Sequence, residues 1–412
     1  MPVINELSPS VASPPGVNMH RMNRRAFLKR AGIGAGAVVV VAGVGATLRA
    51  VDQGVFATDA GGAYTAWSEW DAQAGGSLLP LVRSAVLAAN AHDTQPWIFA
   101  LGTNRVDLFA DFSRNIGAID PLRREMYISL GCALENLTLA ARANGFTPTV
   151  TLLPTAGDAT HVARVNLVPG AAVAASPLYA AIPHRHTNRG AYDTTRSVDA
   201  GILAAMKNLT TDPDVAVVWL TTVAEKQHFA ALTLQATEAI IADSEQAHDD
   251  FVWWRSDWQE IQRRKDGITL DPAGLPDLTR AIGKMLPAQS LPAYDQAWLD
   301  GMRNRQVNTA AAFGLLVTRG RDDNAQRLAA GQLWQRLHLY ATTQGLAMQP
   351  LCQTPERVDR EQATGSTPVF TRGLSELLSE PSGQAVMAFR IGYPTIPAHL
   401  SPRRPAQEVV RA

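Results

Sequence analysis

Apolar and polar positions change period along this chain, and the first change occurs around residue 90. Residues 78–91 are mainly apolar over a helical length, which predicts a helix. The stretch 90–97, Asn-Ala-His-Asp-Thr-Gln-Pro-Trp, is a polar turn, because proline disfavours helix at the residue before it. Residues 97–101 and 105–109 then alternate around Gly-Thr-Asn, the pattern of a β-hairpin. We therefore expect polar groups to be presented at a helix-to-strand corner.

A second helical pattern occurs twice. Residues 123–144 carry apolar side chains at helical spacing and end at Gly145, a typical C-cap. Residues 131–146 align without a gap on residues 331–346, with an offset of 200 positions (331 − 131). The two core helices could match by chance because such helices share a periodicity. The identical glycines at both ends favour a duplicated domain instead.

The rest of the pattern predicts strands separated by helices and irregular segments. An Ala-rich linker at 169–176 divides the chain, and a proline-rich stretch at 271–293 is expected to be irregular. Trp254 and Trp258 have i, i+4 spacing, which favours one packed helix face. The predicted strands are 149–153, 162–167, 215–220, 315–318 and 385–393, and a long helical region is predicted at 224–248.

Composition and charge exclude some classes of function. The chain has 412 residues, of which 46% are apolar and 18% charged, enough for a globular protein of two to three domain-sized units. Lys plus Arg equals Asp plus Glu at 37 each, so no overall field favours nucleic acid as a partner.

Cys132 and Cys352 lie far apart in apolar surroundings, which favours buried free thiols. His184 and His186 lack carboxylate or thiol companions, so we predict no metal site.

The N-terminal region 1–60 differs from the rest. Its first 21 residues are rich in Pro and Ser and are predicted to be disordered. Residues 23–29, Asn-Arg-Arg-Ala-Phe-Leu-Lys, resemble a twin-arginine translocation signal and precede an apolar run at 31–48. Small residues at 44–46 suit cleavage, whereas Arg49 suits an uncleaved membrane anchor, and both outcomes stay open. We predict export to the periplasm or another extracytoplasmic location, either free or membrane-anchored.

Two basic elements suit a phosphate group. Arg185, Thr187 and Arg189 place two guanidinium groups around a hydroxyl, and arginine binds phosphate in a bidentate manner. Arg403 and Arg404 add further cations near the C-terminus. An exposed and solvated basic loop is the alternative for such a cluster.

Together, these motifs resemble the FMN-dependent nitroreductase family, from about residue 78 to residue 404. The corner at 90–97 is similar to the family's Asn-x-Gln-Pro-Trp corner, with Asp93 in place of the asparagine. The Arg-x-Thr-x-Arg element at 185–189 is similar to the family's Arg-x-Ser-x-Arg element, which holds the FMN phosphate with a basic residue near the C-terminus. The chain is most similar to the Acg-type branch, in which two nitroreductase-like halves are fused.

The resemblance implies an α+β, nitroreductase-like fold that is internally duplicated as an intramolecular pseudo-dimer. The implied halves are residues 61–175 and residues 176–412, the second with a Trp-rich insertion. The first has the Gln-Pro-Trp corner and the second has the Arg-x-Thr-x-Arg element, which implies one intact flavin site between the halves and one degenerate site. The implied cofactor-binding residues are Asp93, Gln95, Trp97, Arg185, Thr187, Arg189, Pro350, Leu351, Arg403 and Arg404.

The implied function is an FMN-dependent oxidoreductase that passes a hydride from NAD(P)H through the flavin to a nitro or quinone-like acceptor. Because the chemistry belongs to the cofactor, no catalytic acid or base is implied. Two alternatives stay open: a protein that sequesters FMN under the Trp-rich segment, and a membrane-tethered remnant that binds no flavin. The expected partners are a small-molecule substrate, NAD(P)H and the twin-arginine translocase, and fusion of the halves predicts a monomer or weak dimer.

Asp93 is the departure from the family pattern that bears on chemistry. A carboxylate only accepts hydrogen bonds, whereas an asparagine amide also donates them. Asp93 could accept from the flavin N3–H, and its charge would lower the flavin potential by repelling the anionic reduced form. An aspartate that caps the turn through Thr94 or Gln95 is the alternative. For Trp97, core packing is the alternative to a role at the cofactor.

Overall fold

The computed structural model describes residues 46–72, 76–170, 174–378 and 383–411. The twin-arginine-like segment 23–29 lies outside the described residues. Residues 50–412 belong to one compact unit. Its helices are α1 (Thr65–Ser68), α2 (Leu79–Ala85), α3 (Arg124–Ala143), α4 (Pro177–Ala180), α5 (Ala200–Lys207), α6 (Val223–Ala242), α7 (Ser244–Phe251), α8 (Trp258–Arg264), α9 (Asp277–Met285), α10 (Leu291–Gly301), α11 (Asn324–Thr343), α12 (Gln353–Thr364) and α13 (Val369–Glu376). Its strands are β1 (Trp97–Leu101), β2 (Arg105–Ala110), β3 (Phe146–Leu152), β4 (His161–Pro169), β5 (Val215–Leu220), β6 (Trp254–Arg255), β7 (Ile268–Thr269), β8 (Ala312–Thr318), β9 (Ala347–Pro350), β10 (Gln384–Gly392) and β11 (Val410–Arg411).

The strands form two main sheets, one from each part of the chain. The first has the order β11-β1-β2-β4-β3 and the second the order β5-β8-β10-β9. All pairs in them are antiparallel except β1 with β11, where Phe99 lies beside Val410 in parallel register. The predicted α+β class is confirmed, and the end of the chain supplies an edge strand to the sheet of the first part.

The repeat helices α3 and α11 cross at their two aligned glycines. A Cβ on Gly131 would lie 2.1 Å from the carbonyl oxygen of Leu328, and a Cβ on Gly331 would lie 2.0 Å from that of Ile128. The two contacts correspond under the same offset of 200 positions. Only glycine permits so close an approach of two backbones.

Polar pairs beside this crossing are also reciprocal. Glu135 in α3 accepts from the Nε of Arg336 at 2.7 Å, and Asn136 accepts from the Nε2 of Gln335 at 2.9 Å. Position 135 corresponds to 335 and position 136 to 336, so each pair is the counterpart of the other, as in an isologous interface. Helix α3 has 18 of its 20 residues buried, so it is a central helix of the molecule.

One prediction about the second part of the chain is wrong, and another is confirmed with a change of detail. The proline-rich stretch 271–293 is not irregular, because it contains α9 and the start of α10. Pro276 and Pro292 lie at the helix N-termini, where the missing N–H of proline has no helical acceptor to lose. The predicted helical region 224–248 is confirmed, and it consists of two helices because Asp243 ends α6 and caps the first turn of α7 with its side chain.

The tryptophan pair does not form a helix face. Trp254 lies in the short strand β6, whereas Trp258 begins α8, so the two side chains belong to different elements. Within the described residues, no helix is long and apolar enough to cross a membrane.

Candidate functional site

A cavity of about 530 Å³ is lined by the corner at 90–97 and by α3, α10 and α12. Its volume lies in the range of about 300–1,000 Å³ that small molecules and cofactors occupy. A smaller cavity of about 40 Å³ adjoins it, and both are lined by Asn90, Thr187 and Arg189. The corner and the Arg-x-Thr-x-Arg element, about 95 positions apart in sequence, therefore meet here.

The corner is held in an unusual backbone conformation. His92, Asp93 and Gln95 have positive φ angles of 50°, 54° and 52°. Asn90 braces them, because its Oδ1 accepts from the Gln95 N–H at 2.8 Å and its Nδ2 donates to Asp93 at 3.2 Å. Left-handed residues other than glycine cost energy and cluster at functional sites.

Arg185 is a buried cation without a carboxylate partner among the described residues. Its side chain donates to the Leu87 carbonyl at 3.1 Å, while its Nε makes no hydrogen bond. Burial, and then the neighbouring Arg403, lower the pKa of Arg185 to about 9. An unpaired buried charge is costly, so this position suits an anion that is not part of the chain.

Arg403, Thr187 and Arg189 complete the cationic end of the site. All three line the small cavity with Arg185. Arg403 is ion-paired with Asp93 and donates to Ser401 Oγ at 2.8 Å, but its Nε has no partner. Burial lowers the pKa of both Arg189 and Arg403. The structure thus brings together four of the residues predicted to hold a phosphate.

Asp93 also lines the small cavity, beside these cations. Burial raises its pKa to about 6, and the charge of Arg403 opposes that shift. Its side chain bonds Asn90 and Arg403, not the backbone of Thr94 or Gln95, so the turn-capping alternative does not describe it. Its Oδ2 is buried without a partner, which leaves an acceptor available at the cavity wall.

Gln95 and Arg404 bind each other instead of lining a cavity. Gln95 Oε1 accepts from the Arg404 N–H at 2.8 Å, and its Nε2 donates to the Lys265 carbonyl at 2.8 Å. The Arg404 guanidinium donates to the Gln95 carbonyl at 2.5 Å. This pair fixes the corner to the C-terminal segment, so its role in the structure is to position other residues.

Of three further residues predicted to bind the cofactor, one lines a cavity and two lie in the apolar core. Trp97 is fully buried in the apolar core at the start of β1, as its core-packing alternative states. Leu351 is fully buried in a second apolar cluster beneath β10. Pro350 lines the large cavity, together with Trp334 behind it.

The sequence patterns missed an acidic end of the large cavity. It is lined by His92, Glu125, Asp250, Tyr294 and Glu356. Burial would lower the pKa of His92, but its hydrogen bond to Asp250 reverses the shift and raises it. Burial, and then Glu125, raise the pKa of Glu356 well above its usual value. The five residues come from separate elements, so no sequence motif joins them. The one available signal was the presence of acidic residues in helical segments that are otherwise apolar.

Aromatic rings form a further part of the cavity wall. Trp254 and Tyr294 both line it, with ring centroids 5.3 Å apart, and Trp254 Nε1 is buried without a hydrogen-bond partner. Trp258 instead lies over Tyr64 at 6.2 Å, away from the cavity. The Trp-rich segment therefore contributes one ring to the site, not a cluster.

Sequence comparison relates the chain to curated proteins over most of its length, although no protein-family model matches it. A Mycobacterium tuberculosis protein named "Putative NAD(P)H nitroreductase" is 28% identical over 331 residues, covering 79% of this chain and 87% of the relative. An uncharacterized protein of the same organism is 24% identical over 347 residues, covering 80% and 93%.

Solved structures similar to the chain include two nitroreductases. One is a nitroreductase with bound FMN from Desulfitobacterium hafniense, with 13% identity and a TM-score of 0.35, covering 57% of this chain and 98% of that one. The other is an FMN-dependent nitroreductase from Mycobacterium smegmatis in complex with NADPH, with 16% identity, a TM-score of 0.34, and coverage of 57% and 97%. With TM-scores below 0.5, these similarities carry no argument about the site.

Proposed function

We propose that this chain, a sequence relative of the nitroreductase family, is an FMN-dependent oxidoreductase that uses NAD(P)H. The observation that carries the proposal is the set of buried arginines at one end of a cofactor-sized cavity. Arg185 and Arg403 each keep a buried Nε without a hydrogen-bond partner. The curated relative's name supports NAD(P)H as the donor.

The residues present fit FMN at both ends. Arg185, Thr187, Arg189 and Arg403 supply guanidinium and hydroxyl donors for a phosphate, which is the anion that this end of the site lacks. The adjoining cavity of about 530 Å³ is large enough for a ring system and has an aromatic wall at Trp254.

A bound flavin supplies two-electron hydride chemistry between a nicotinamide and an acceptor. The chain's own residues bind and orient it. The Asn90-braced corner and Asp93 offer acceptors beside the cations, and the rings of Trp254 and Tyr294 restrict water on one side of the large cavity. We propose a nitro or quinone-like compound as the acceptor.

The fused, pseudo-dimeric organisation is part of the same proposal. The reciprocal contacts at Gly131 and Gly331 support an Acg-type pair of halves with boundaries near residues 61–175 and 176–412. The site takes its corner from the first half and its Arg-x-Thr-x-Arg element from the second, which supports a single intact site between them. Fusion reduces the need for a second chain, so we expect a monomer or weak dimer.

The N-terminal segment supports export of the folded protein. Residues 23–29 resemble a twin-arginine signal, and that route would allow the flavin to be loaded before export. We propose an extracytoplasmic location, with either cleavage or anchoring at the apolar run.

A second candidate function is sequestration of FMN without efficient turnover. Trp254 favours it, because the ring lies in the cavity wall with an unpaired indole N–H and could cover a bound flavin. The two functions differ in whether a nicotinamide can reach the flavin.

An anaerobic visible spectrum of the purified protein lacking residues 1–45 tests both. A flavin spectrum that NADPH or NADH bleaches is the expected result. A flavin spectrum that neither donor bleaches would favour sequestration, and a colourless protein that does not bind added FMN would contradict the proposal.

A further inference from the structure

Three side chains from separate elements converge on the large cavity. His92 lies in the corner, Asp250 in α7 and Tyr294 in α10, and all three line the cavity. His92 Nε2 lies 2.5 Å from Asp250 Oδ1. The His92 side chain is 12% exposed and that of Asp250 6%, so the pair is enclosed but reaches the cavity.

The geometry assigns different tasks to the two ring nitrogens. Nε2 is committed to Asp250, whereas no described residue bonds Nδ1 of His92. A carboxylate on one imidazole nitrogen orients the ring and stabilises its protonated form, which leaves the other N–H to act on a ligand. Asp250 Oδ2 is itself buried without a hydrogen-bond partner, so this wall has polar capacity beyond what the chain uses.

We propose that His92 is the acid that protonates a quinone acceptor, and that Asp250 is the residue that positions it. The inference rests on the proposed function. A bound and reduced cofactor would supply a hydride, that is two electrons and one hydrogen, and the quinone would then become a hydroquinone monoanion. The Nδ1–H of His92 then passes its proton to that oxyanion, which completes the hydroquinone. The neutral imidazole keeps its Nε2–H bond to Asp250 and regains a proton from water.

The charges around His92 favour this role. Burial acts to lower its pKa, but the hydrogen bond and charge of Asp250 and the charge of Glu125 raise it, against an opposing contribution from Arg189. The net effect raises the pKa of His92 above its ordinary value, which favours the protonated imidazole. The titratable and charged groups lining the cavity around it are Arg124, Glu125 and Cys132 from α3, Asp250 from α7, Tyr294 and Asp300 from α10, Cys352 and Glu356 at and in α12, and Arg189 and Arg305.

The test compares two acceptors in the oxidative half-reaction of anaerobically reduced protein. Menadione needs a proton to complete its reduction, whereas ferricyanide takes electrons alone and is the internal reference. His92→Gln should slow reoxidation by menadione about 10²–10⁴-fold relative to ferricyanide, the usual contribution of a general acid. His184→Gln, at an exposed histidine, is the matched control and should leave that ratio unchanged.

Two pH experiments give readouts that a merely structural role would not change. The menadione rate of the wild type should fall as pH rises through a midpoint above 6.5. In the protein without flavin, an NMR titration of His92 should show the same raised midpoint, and Asp250→Asn should lower it. A midpoint that Asp250→Asn does not move would overturn the positioning role.

Different results would contradict the role of His92 and the proposed function. If the protein binds flavin, is bleached by NAD(P)H and reacts with ferricyanide, but His92→Gln keeps the wild-type menadione ratio, the acid assignment is wrong and the oxidoreductase stands. If no donor bleaches the flavin, the proposed function fails, and the NMR titration still decides the His92–Asp250 pairing.

Discussion

The two ends of the site differ in the sign of their prevailing charge. At the small cavity, Arg185 and Arg403 are buried cations whose pKa values are lowered by burial, and Asp93 is the carboxylate that pairs with one of them. At the other end, in the large cavity, Glu125 and Glu356 are buried carboxyl groups, and burial, followed by the charge of Glu125, raises the pKa of Glu356. Each end also contains one group of the opposite charge, Asp93 among the cations and Arg124 beside Glu125.

The difference indicates what each end can bind. Buried charges without partners cost folding free energy, and such groups concentrate at functional sites. The cationic end gains most from a permanently anionic group such as a phosphate. The acidic end contains Glu356, whose raised pKa favours its protonated form, so this end suits chemistry in which a proton must be delivered.

The largest effect is expected at the cationic end. Arg185→Ala should weaken FMN binding by roughly 2–4 kcal/mol, the scale for truncating one partner of a buried charge-assisted pair. Two opposing effects act on the stability of the apoprotein: packing and the hydrogen bonds to the Leu87 carbonyl and, weakly, to His338 are lost, whereas the cost of an unpaired buried charge is removed. Isothermal titration with FMN and denaturant unfolding of the apoprotein measure the two quantities.

Arg196→Ala is the control for that variant. Arg196 is exposed and stacks on Tyr393, so its loss should leave the FMN dissociation constant unchanged. Equal affinity of the Arg185 variant and the wild type would remove the phosphate assignment.

A smaller effect is expected at Asp93, where the two kinds of charge meet. Asp93→Asn removes a negative charge that disfavours the anionic reduced flavin, so the midpoint potential should rise. Because Arg403 already compensates part of that charge, we expect a rise of about 30 mV, equivalent to ~1.4 kcal/mol for two electrons. Spectroelectrochemical titration measures it. An unchanged or lower potential would leave Asp93 as a structural partner of Arg403.

The smallest effect is expected at the acidic end and appears in the pH dependence of stability. The pKa of Glu356 is raised in the folded state. Its contribution to the free energy of unfolding is therefore fully present below its ordinary pKa of 4.5 and is lost as the pH rises through the folded-state pKa. Glu356→Gln should therefore be more stable than the wild type at pH 8, by about 1 kcal/mol, and similar to it at pH 4.

Glu361 on the same helix supplies the contrast. Its carboxylate accepts from the N–H groups of Phe370 at 2.7 Å and Thr371 at 3.1 Å. In contrast to Glu356→Gln, the variant Glu361→Gln should therefore be less stable than the wild type at pH 8. If the Glu356 variant behaved like the Glu361 variant, the acidic end would be a structural network and not a site under charge strain.

The core of the molecule shows a different contrast, between a symmetric scaffold and an asymmetric site. The crossing of α3 and α11 at Gly131 and Gly331 is reciprocal in both its backbone contacts and its polar pairs. The cavities above it are not, because they combine a corner from before α3 with arginines from after β4 and from the chain end. A reciprocal crossing of two helices therefore supports a site that does not share its symmetry.

Local features of the sequence determined most of the elements and several of the site residues. The hairpin, the repeat helices and the five long strands follow from side-chain period, and Gly145 ends its helix as a C-cap does. The Arg-x-Thr-x-Arg element contributes all three of its residues to a cavity, as the pairing of guanidinium and hydroxyl donors suggested. The prolines at 271–293 were expected to interrupt helices, but they lie at helix starts. Proline is compatible with a break and with the first turn of a helix, and the residues that follow determine which one forms.

Tertiary structure alone decided which residues share a cavity. Gln95, Trp97, Leu351 and Arg404 match the family pattern yet are committed to the core or to each other. His92, Asp250 and Glu356 lie far apart in the chain and carry no motif, and they meet only because α7, α12 and the corner pack around one space. Period and capping are properties of neighbouring residues, whereas charge burial and the pKa shifts it causes depend on groups that only the folded chain brings together.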